Sequence, residues 1–274
     1  MRGSFRLFYI QKKKEQQKNE QNENKNNNNS IDIQRNNRSD EQFRQIFLKS
    51  GIVSQASGSC YIEIEKTKVL CSVHGPRASH KTEEFVAAKF NCELKYTTFS
   101  SSVDKYDYTE NNKEKDQSLI IREALIGSVR LEKYPKTVID IYILVLNDDG
   151  NVMVASITAA SMALADAGVE MYDMVASCSS VCTKDRILLD PSYQEESLPN
   201  TTNILVAKMP ALNQVTQLVQ SGDLSYNTVI EAVDLNIDGC DKIYSIMKQN
   251  LIDSLEKQLK DKDNNNNNNN MDIK

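Results

Sequence analysis

Tryptophan is absent from this chain of 274 residues, and histidine occurs only twice, at His74 and His80. Side chains that exchange protons near neutral pH are therefore scarce, and neither histidine has a carboxylate and nucleophile motif beside it, so both read as loop residues. No apolar run approaches the ~20 residues a membrane span requires. The N-terminal MRGSFRLFYIQKKK has neither a long apolar stretch nor a small-residue cleavage site, so a soluble, unsecreted protein with no membrane partner is expected. A basic excess is also missing: 33 Lys and Arg stand against 38 Asp and Glu, a net charge of -5, which argues against a general basic binder of nucleic acid. Six cysteines (Cys60, Cys71, Cys92, Cys178, Cys182 and Cys240) fall inside apolar segments at no spacing suited to a metal or a disulfide, and read as buried thiols. Cys178 and Cys182 lack a second ligand pair, so no metal is expected. Ser57-Gly58-Ser59 and Gly127-Ser128 match neither a nucleophile elbow nor a phosphate loop, and no cofactor is expected.

What is present divides the chain into three parts. Residues 1–37, with Asn and Lys runs, and 261–274, with seven consecutive Asn, are too polar to offset the entropy of ordering and are expected to be disordered. Residues 38–260 carry the folded domain. There CYIEIE (60–65) and KVLCSVH (68–74) alternate apolar and polar residues around a turn at Lys66-Thr67, as a β-hairpin does. FVAAKFNCEL (85–94) predicts a third strand, and after a polar stretch the segment 117–131 predicts a helix packed on one side. TVIDIYILVLN (137–147) becomes continuously apolar, the pattern of a central strand covered on both faces. The turn Asp148-Asp149-Gly150 follows, then an Ala-rich buried helix over 154–167 with Gly168 as its left-handed cap. Strands are expected at 174–183, 186–189, 202–209 and 214–219. A long amphipathic helix over 225–260 closes a mixed α+β layered domain.

Several of these stretches, in this order, resemble the RNase PH family: Arg38-Ser39-Asp40 with Arg44, GIVSQASGSCY (51–61), TKVLCSVHGPR (67–77), Asp149-Gly150 and ALADAGV (163–169). Further segments, ADAGVEMYDMV (165–175), LLDP (188–191), MPALNQV (209–215) and RLEKYP (130–135), resemble ring subunits of the eukaryotic RNA exosome. The resemblance implies a two-layer RNase PH-type fold (ribosomal protein S5 domain 2-like) with mixed sheets and a long C-terminal helix. It also implies a hetero-hexameric ring of RNase PH-type subunits that threads RNA, joined by RNA-binding cap subunits and a catalytic exoribonuclease subunit. Nuclear, nucleolar and cytoplasmic presence follows from the same resemblance.

Active members of that family cleave the RNA 3′ end with phosphate, and must hold it with cations and hydrogen-bond donors. Their turn after the central strand reads Asp-Gly-Gly-Thr-Arg-Thr-Ala. This chain has Asp149, Gly150, Asn151, Val152, Met153, Val154, Ala155, so apolar Val152 and Met153 stand where the hydroxyl and the guanidinium are needed. The family's acidic motif, Asp-x-x-Tyr-x-Glu-Asp-Ser, reads Asp190-Pro-Ser-Tyr-Gln-Glu195-Glu196-Ser197 here, with the first Asp kept and the second changed to Glu196. The plainer reading of Asp190 and Glu195-Glu196, a strand end followed by a solvated loop, is the one expected. Together these changes predict a non-catalytic homologue. Arg77, Arg122, Arg130, Lys133 and Lys136 lie, by resemblance, toward the RNA path and are candidate phosphate contacts, with ordinary solvated charge as the plainer reading.

Overall fold

The computed structural model describes residues 35, 38–78, 87–101, 112–183, 186–199 and 201–271. The chain divides into two units, Met1–Arg38 and Ser39–Lys274, and every element named below belongs to the second. Of the first unit, Arg35 and Arg38 are described; His80 and the rest of the N-terminal extension lie outside the described residues.

Five strands form the first sheet: β1 (Ile46–Ser50), β2 (Gly58–Ile64), β3 (Thr67–Ala78), β4 (Lys89–Tyr96) and β5 (Thr137–Asn147), in the order β1-β2-β3-β5-β4. All neighbours are antiparallel except β4 and β5, which run parallel. The expected hairpin is β2 and β3, with Cys60 opposite Cys71. Strand β4 begins later than the sequence pattern suggests, because its register is set by pairing with β5 from Lys89 opposite Val138 to Tyr96 opposite Val145.

Helix α1 (Asn112–Ile126) also departs from expectation, starting inside the polar stretch and stopping before Gly127. Its first turns are polar because they bind β4: Tyr96 N–H donates to Glu114 Oε1 at 3.1 Å, and Leu94 N–H to Ser118 Oγ at 2.9 Å. Apolar periodicity cannot register an anchor of this kind. The remainder of the expected helix is a turn at Gly127-Ser128 and a bridge from Val129 to Met171, and a short 3-10 turn, Leu131–Lys133, follows.

Helix α2 (Val152–Asp166) is buried from Val154 through Leu164 and ends, as expected, on Gly168 at φ +70. It packs on β2 and β3, and on β6 (Ala176–Cys182) of the second sheet. That sheet, β7-β6-β8-β9, is antiparallel throughout, with β7 (Ile187–Leu189), β8 (Thr202–Met209) and β9 (Gln214–Ser221). Ser177 Oγ donates to Val154 O of α2 at 3.0 Å, whereas Cys178 lies against Gly239 of the last helix. Successive strand residues point to opposite faces, so β6 is covered on both sides, which its uninterrupted burial reflects. A single helical turn, α3 (Tyr193–Glu196), joins β7 to β8.

The last helix, α4 (Tyr226–Met271), runs past Lys260, so most of the Asn-rich tail beyond it is helical rather than unstructured. A helix anchored by packing propagates without a new nucleus, one hydrogen bond per residue. Its stem is tied down by Lys208 Nζ to Asp241 at 3.0 Å and by Asn250 Nδ2 to Leu48 O at 2.8 Å.

Strand β5 corrects one expectation. Ile139, Ile141, Ile143 and Val145 are buried, but Tyr142 and Leu144 on the other face are 42% and 37% exposed, because the helices pack on only one side of this strand. The architecture is the expected α+β arrangement of mixed sheets with a long C-terminal helix.

Candidate functional site

The turn between β5 and α2 is held from several sides. Thr67 Oγ1 donates to Gly150 O at 2.8 Å and accepts the Asp149 N–H at 3.2 Å. Asp148 Oδ1 accepts the Gly150 N–H at 3.0 Å, and Tyr193 N–H donates to Asp149 O at 2.9 Å. Gly150, at φ +86, has no room for a side chain, since a Cβ would sit 2.4 Å from Tyr193 N.

Asn151 precedes α2 in the left-handed conformation, and its side chain does not cap the helix. Instead its Nδ2 donates to Asp190 Oδ1 at 2.6 Å, and its Oδ1 accepts from Ser179 Oγ at 2.6 Å. Asp190 is 1% exposed, which overturns the expectation of a solvated loop. It accepts from Arg44 N at 2.8 Å, Nε at 3.1 Å and Nη2 at 2.8 Å, while the same guanidinium donates to Asp149 O at 3.1 Å and Pro191 O at 3.0 Å. Burial opposes the Asp190 charge, but the hydrogen bonds and charge of Arg44, with help from Asn151, outweigh it and hold the carboxyl below its ordinary range. Asp190 is thus a structural ion paired in the core of the site.

Glu196 faces the first turn of α2, where its Oε1 accepts the Asn151 N–H at 2.8 Å. The end of a helix that attracts anions is therefore bound by the chain's own carboxylate. Burial, aided by Asp148 and Asp190, pushes Glu196 up to about 7 against the pull of the Asn151 N–H and Arg44. Glu195, by contrast, closes the α3 capping box through Ser192 N–H at 2.8 Å and is buried.

The Glu196 shift has a measurable consequence. A carboxyl whose folded value lies above its unfolded value stabilises the fold below the ordinary carboxyl range, and that contribution is lost as pH rises through about 7. Glu196→Gln keeps an acceptor for Asn151 and removes the titration. The variant is expected to melt above the parent at about pH 8 and level with it at about pH 5, a gain on the order of 2–3 kcal/mol. Thermal melts at both pH values check this; an equal offset at both would contradict it.

Between this turn, α1 and the second sheet lies a cavity of about 310 Å³. Val152 and Met153 line it with Glu196, Gln117 and Asn203, and among the described residues Lys113 is its one cationic lining residue. The apolar pair predicted from sequence therefore does face the same space as Glu196, while Asp190 sits behind it.

None of the five basic candidates lines this cavity. Arg77 pairs with Asp140, which also accepts from Asn91 Nδ2 at 2.7 Å. Arg122 donates through Nε to Phe90 O at 2.9 Å and lines a separate groove of about 450 Å³ with Asp140 and Tyr142. Arg130 lies 4.7 Å over the Tyr172 ring and 3.9 Å from Glu170, which Lys133 also pairs. His74 is a strand residue rather than a loop residue, edge-on to Tyr142 at 5.7 Å. Burial pushes the thiols of Cys60, Cys92 and Cys240 up to about 12, so they are inert packing groups. Among the described residues no three His, Cys, Asp or Glu side chains gather in a way that could hold a metal ion.

Sequence reasoning missed Arg44 as a site residue, along with the roles of Asn151, Gln117 and Asn203. Arg44 lies 146 positions from Asp190, so no local spacing connects them.

Fold and sequence together define the class: residues 42–170 match domain 1 of the 3′ exoribonuclease (RNase PH) family and 173–239 match domain 2, and the chain belongs to that family. Among its relatives, the exosome complex component MTR3 of Mus musculus is 35% identical over 232 residues, covering 78% of this chain and 85% of that protein. An exosome complex component RRP41-like of Arabidopsis thaliana is also 35% identical, over 217 residues, covering 79% and 83%. Of solved structures, rice Rrp46 superposes with a TM-score of 0.67 at 20% identity, covering 77% of this chain and 97% of that one. An Archaeoglobus fulgidus exosome with RNA bound to the active site gives 0.66 at 21%, covering 80% and 92%. At such identity the structural likeness establishes the fold.

Proposed function

We propose that the chain is a non-catalytic ring subunit of an RNA exosome, of the type its MTR3 relatives represent. It would support 3′-to-5′ RNA processing and degradation by a catalytic partner through ring assembly and RNA guidance. The observation that carries this reading is the state of the α2 N-terminus: its first N–H is bound by Glu196, and Met153 faces the cavity in place of a cation. The names of the relatives support membership of the complex. Partners on this reading are the other RNase PH-type ring subunits, the RNA-binding cap subunits, a catalytic exoribonuclease subunit and RNA itself, in the nucleus, nucleolus and cytoplasm.

The alternative is an active phosphate-dependent exoribonuclease of the RNase PH type. The RRP41-like relative, equal in identity to MTR3, and the intact turn and helix favour it. It requires a cation that the described residues of the cavity wall do not supply beyond Lys113. Recovery of the tagged chain from cells separates assembly from independence: stoichiometric co-purification with other RNase PH-type subunits is expected, and recovery as a monomer would contradict the reading.

A further inference from the structure

The cavity beside Met153 has lost the features that suit an anion and gained those that suit the opposite charge. Two of its lining residues, Gln117 and Asn203, each carry a side-chain oxygen, Oε1 and Oδ1, that is sealed from solvent and has no hydrogen-bond partner among the described residues. Leaving a buried acceptor unpaired is costly, so a ligand that brings donors to it is favoured. Glu196 adds a carboxylate whose Oε1 is bound to Asn151 N–H and whose Oε2 meets no donor among the described residues. The charges that act on Glu196 are Asp148 and Asp190, both repelling, and Arg44, whose guanidinium is already engaged with Asp190 and two backbone carbonyls. Lys113 stands exposed on the rim. The rest of the wall, Met153, Ile204, Leu205 and Val219, is apolar.

We propose that this cavity binds a small organic cation, a protonated amine or guanidinium carried on an apolar body. Its N–H groups would meet Glu196 Oε2 and, once the Gln117 and Asn203 side chains rotate toward it, the two amide oxygens, and its hydrocarbon would lie along Met153 and Leu205. A bare divalent ion fits less well, because a hard cation takes six or more oxygen ligands and gains nothing from the apolar wall. A space of about 310 Å³ is at the lower end of small-molecule sites, which sets the ligand size to that of an alkyl amine or guanidine. The inference rests on the proposed reading in one respect, that the cavity does not take phosphate.

Agmatine, which carries both a guanidinium and an ammonium group, is the probe, titrated into the full chain by calorimetry. Saturable one-to-one binding is expected at about pH 8, weakening as Glu196 is protonated toward about pH 6. Glu196→Gln is expected to weaken binding about tenfold or more, the loss of a hydrogen bond to a charged group. Met153→Arg, which puts a cation into the cavity, is expected to abolish it, and provides a second variant if the first folds poorly. Absence of saturable agmatine binding, equal binding by Glu196→Gln, or binding of adenosine in place of agmatine would each overturn this inference alone. Saturable binding of inorganic phosphate to the unmodified chain would overturn both the inference and the proposed function.

Discussion

Replacing Arg44 by alanine is expected to destabilise the domain by about 3–5 kcal/mol, the cost of leaving a buried charge without its partner. Asp190 is almost wholly inaccessible, and among the described residues Arg44 gives its carboxylate three hydrogen bonds, two from the guanidinium and one from the backbone N–H, beside the one from Asn151. Without the guanidinium, the carboxylate loses two charge-assisted hydrogen bonds and its counter-charge. Two backbone carbonyls, of Asp149 and Pro191, each lose a hydrogen bond in the same step, Asp149 O keeping the Tyr193 N–H. Net stability of a domain is only about 5–15 kcal/mol, so the variant should accumulate little folded protein. Arg44→Ala combined with Asp190→Asn should recover part of the loss, because the unpaired charge is then gone. Urea titrations of parent, single and double variants measure this; a single-variant loss under about 1 kcal/mol would show that the pair is not structural.

The second large effect concerns chemistry. The purified chain is expected to shorten RNA no faster with inorganic phosphate than without it. Each preorganised donor removed from a site that stabilises a developing anion typically costs about a hundred- to a thousandfold in rate. Here the losses accumulate. Val152 is buried and Met153 lines the cavity, so the first turn of α2 offers no side-chain donor. The Gly150 and Asn151 N–H groups are already bound by Asp148 and Glu196, and an incoming phosphate would meet two carboxylates. For the same reason Met153→Arg alone should not restore turnover, since it supplies a cation without freeing the N–H groups.

Much of this site was legible in the sequence, for identifiable reasons. Val152 and Met153 follow a strand and a turn whose patterns are local, so their positions could be read directly, and both do line the cavity. Gly168 and the strand at β5 were equally local. Glu196 shows in the sequence only as a change from the family's Asp, because its contact with Asn151 N–H spans 45 positions and arises only when the two sheets close around α2. Arg44 and Asp190, 146 positions apart, are brought together only by folding, and Asp190 sits at φ +51, a conformation no neighbouring residue announces. The covered face of β5 was misjudged because Tyr142 and Leu144 are apolar but exposed, and an alternating burial pattern is invisible when both faces carry apolar residues.

The measurement that bears most directly on the central claim is a phosphorolysis assay of the purified full chain on a single-stranded RNA with a free 3′ end. Nucleoside diphosphate release and RNA length are followed with and without inorganic phosphate. Full-length RNA and no diphosphate product above the blank are the predicted result. Progressive 3′ shortening that depends on phosphate and is lost in Glu196→Gln would contradict it.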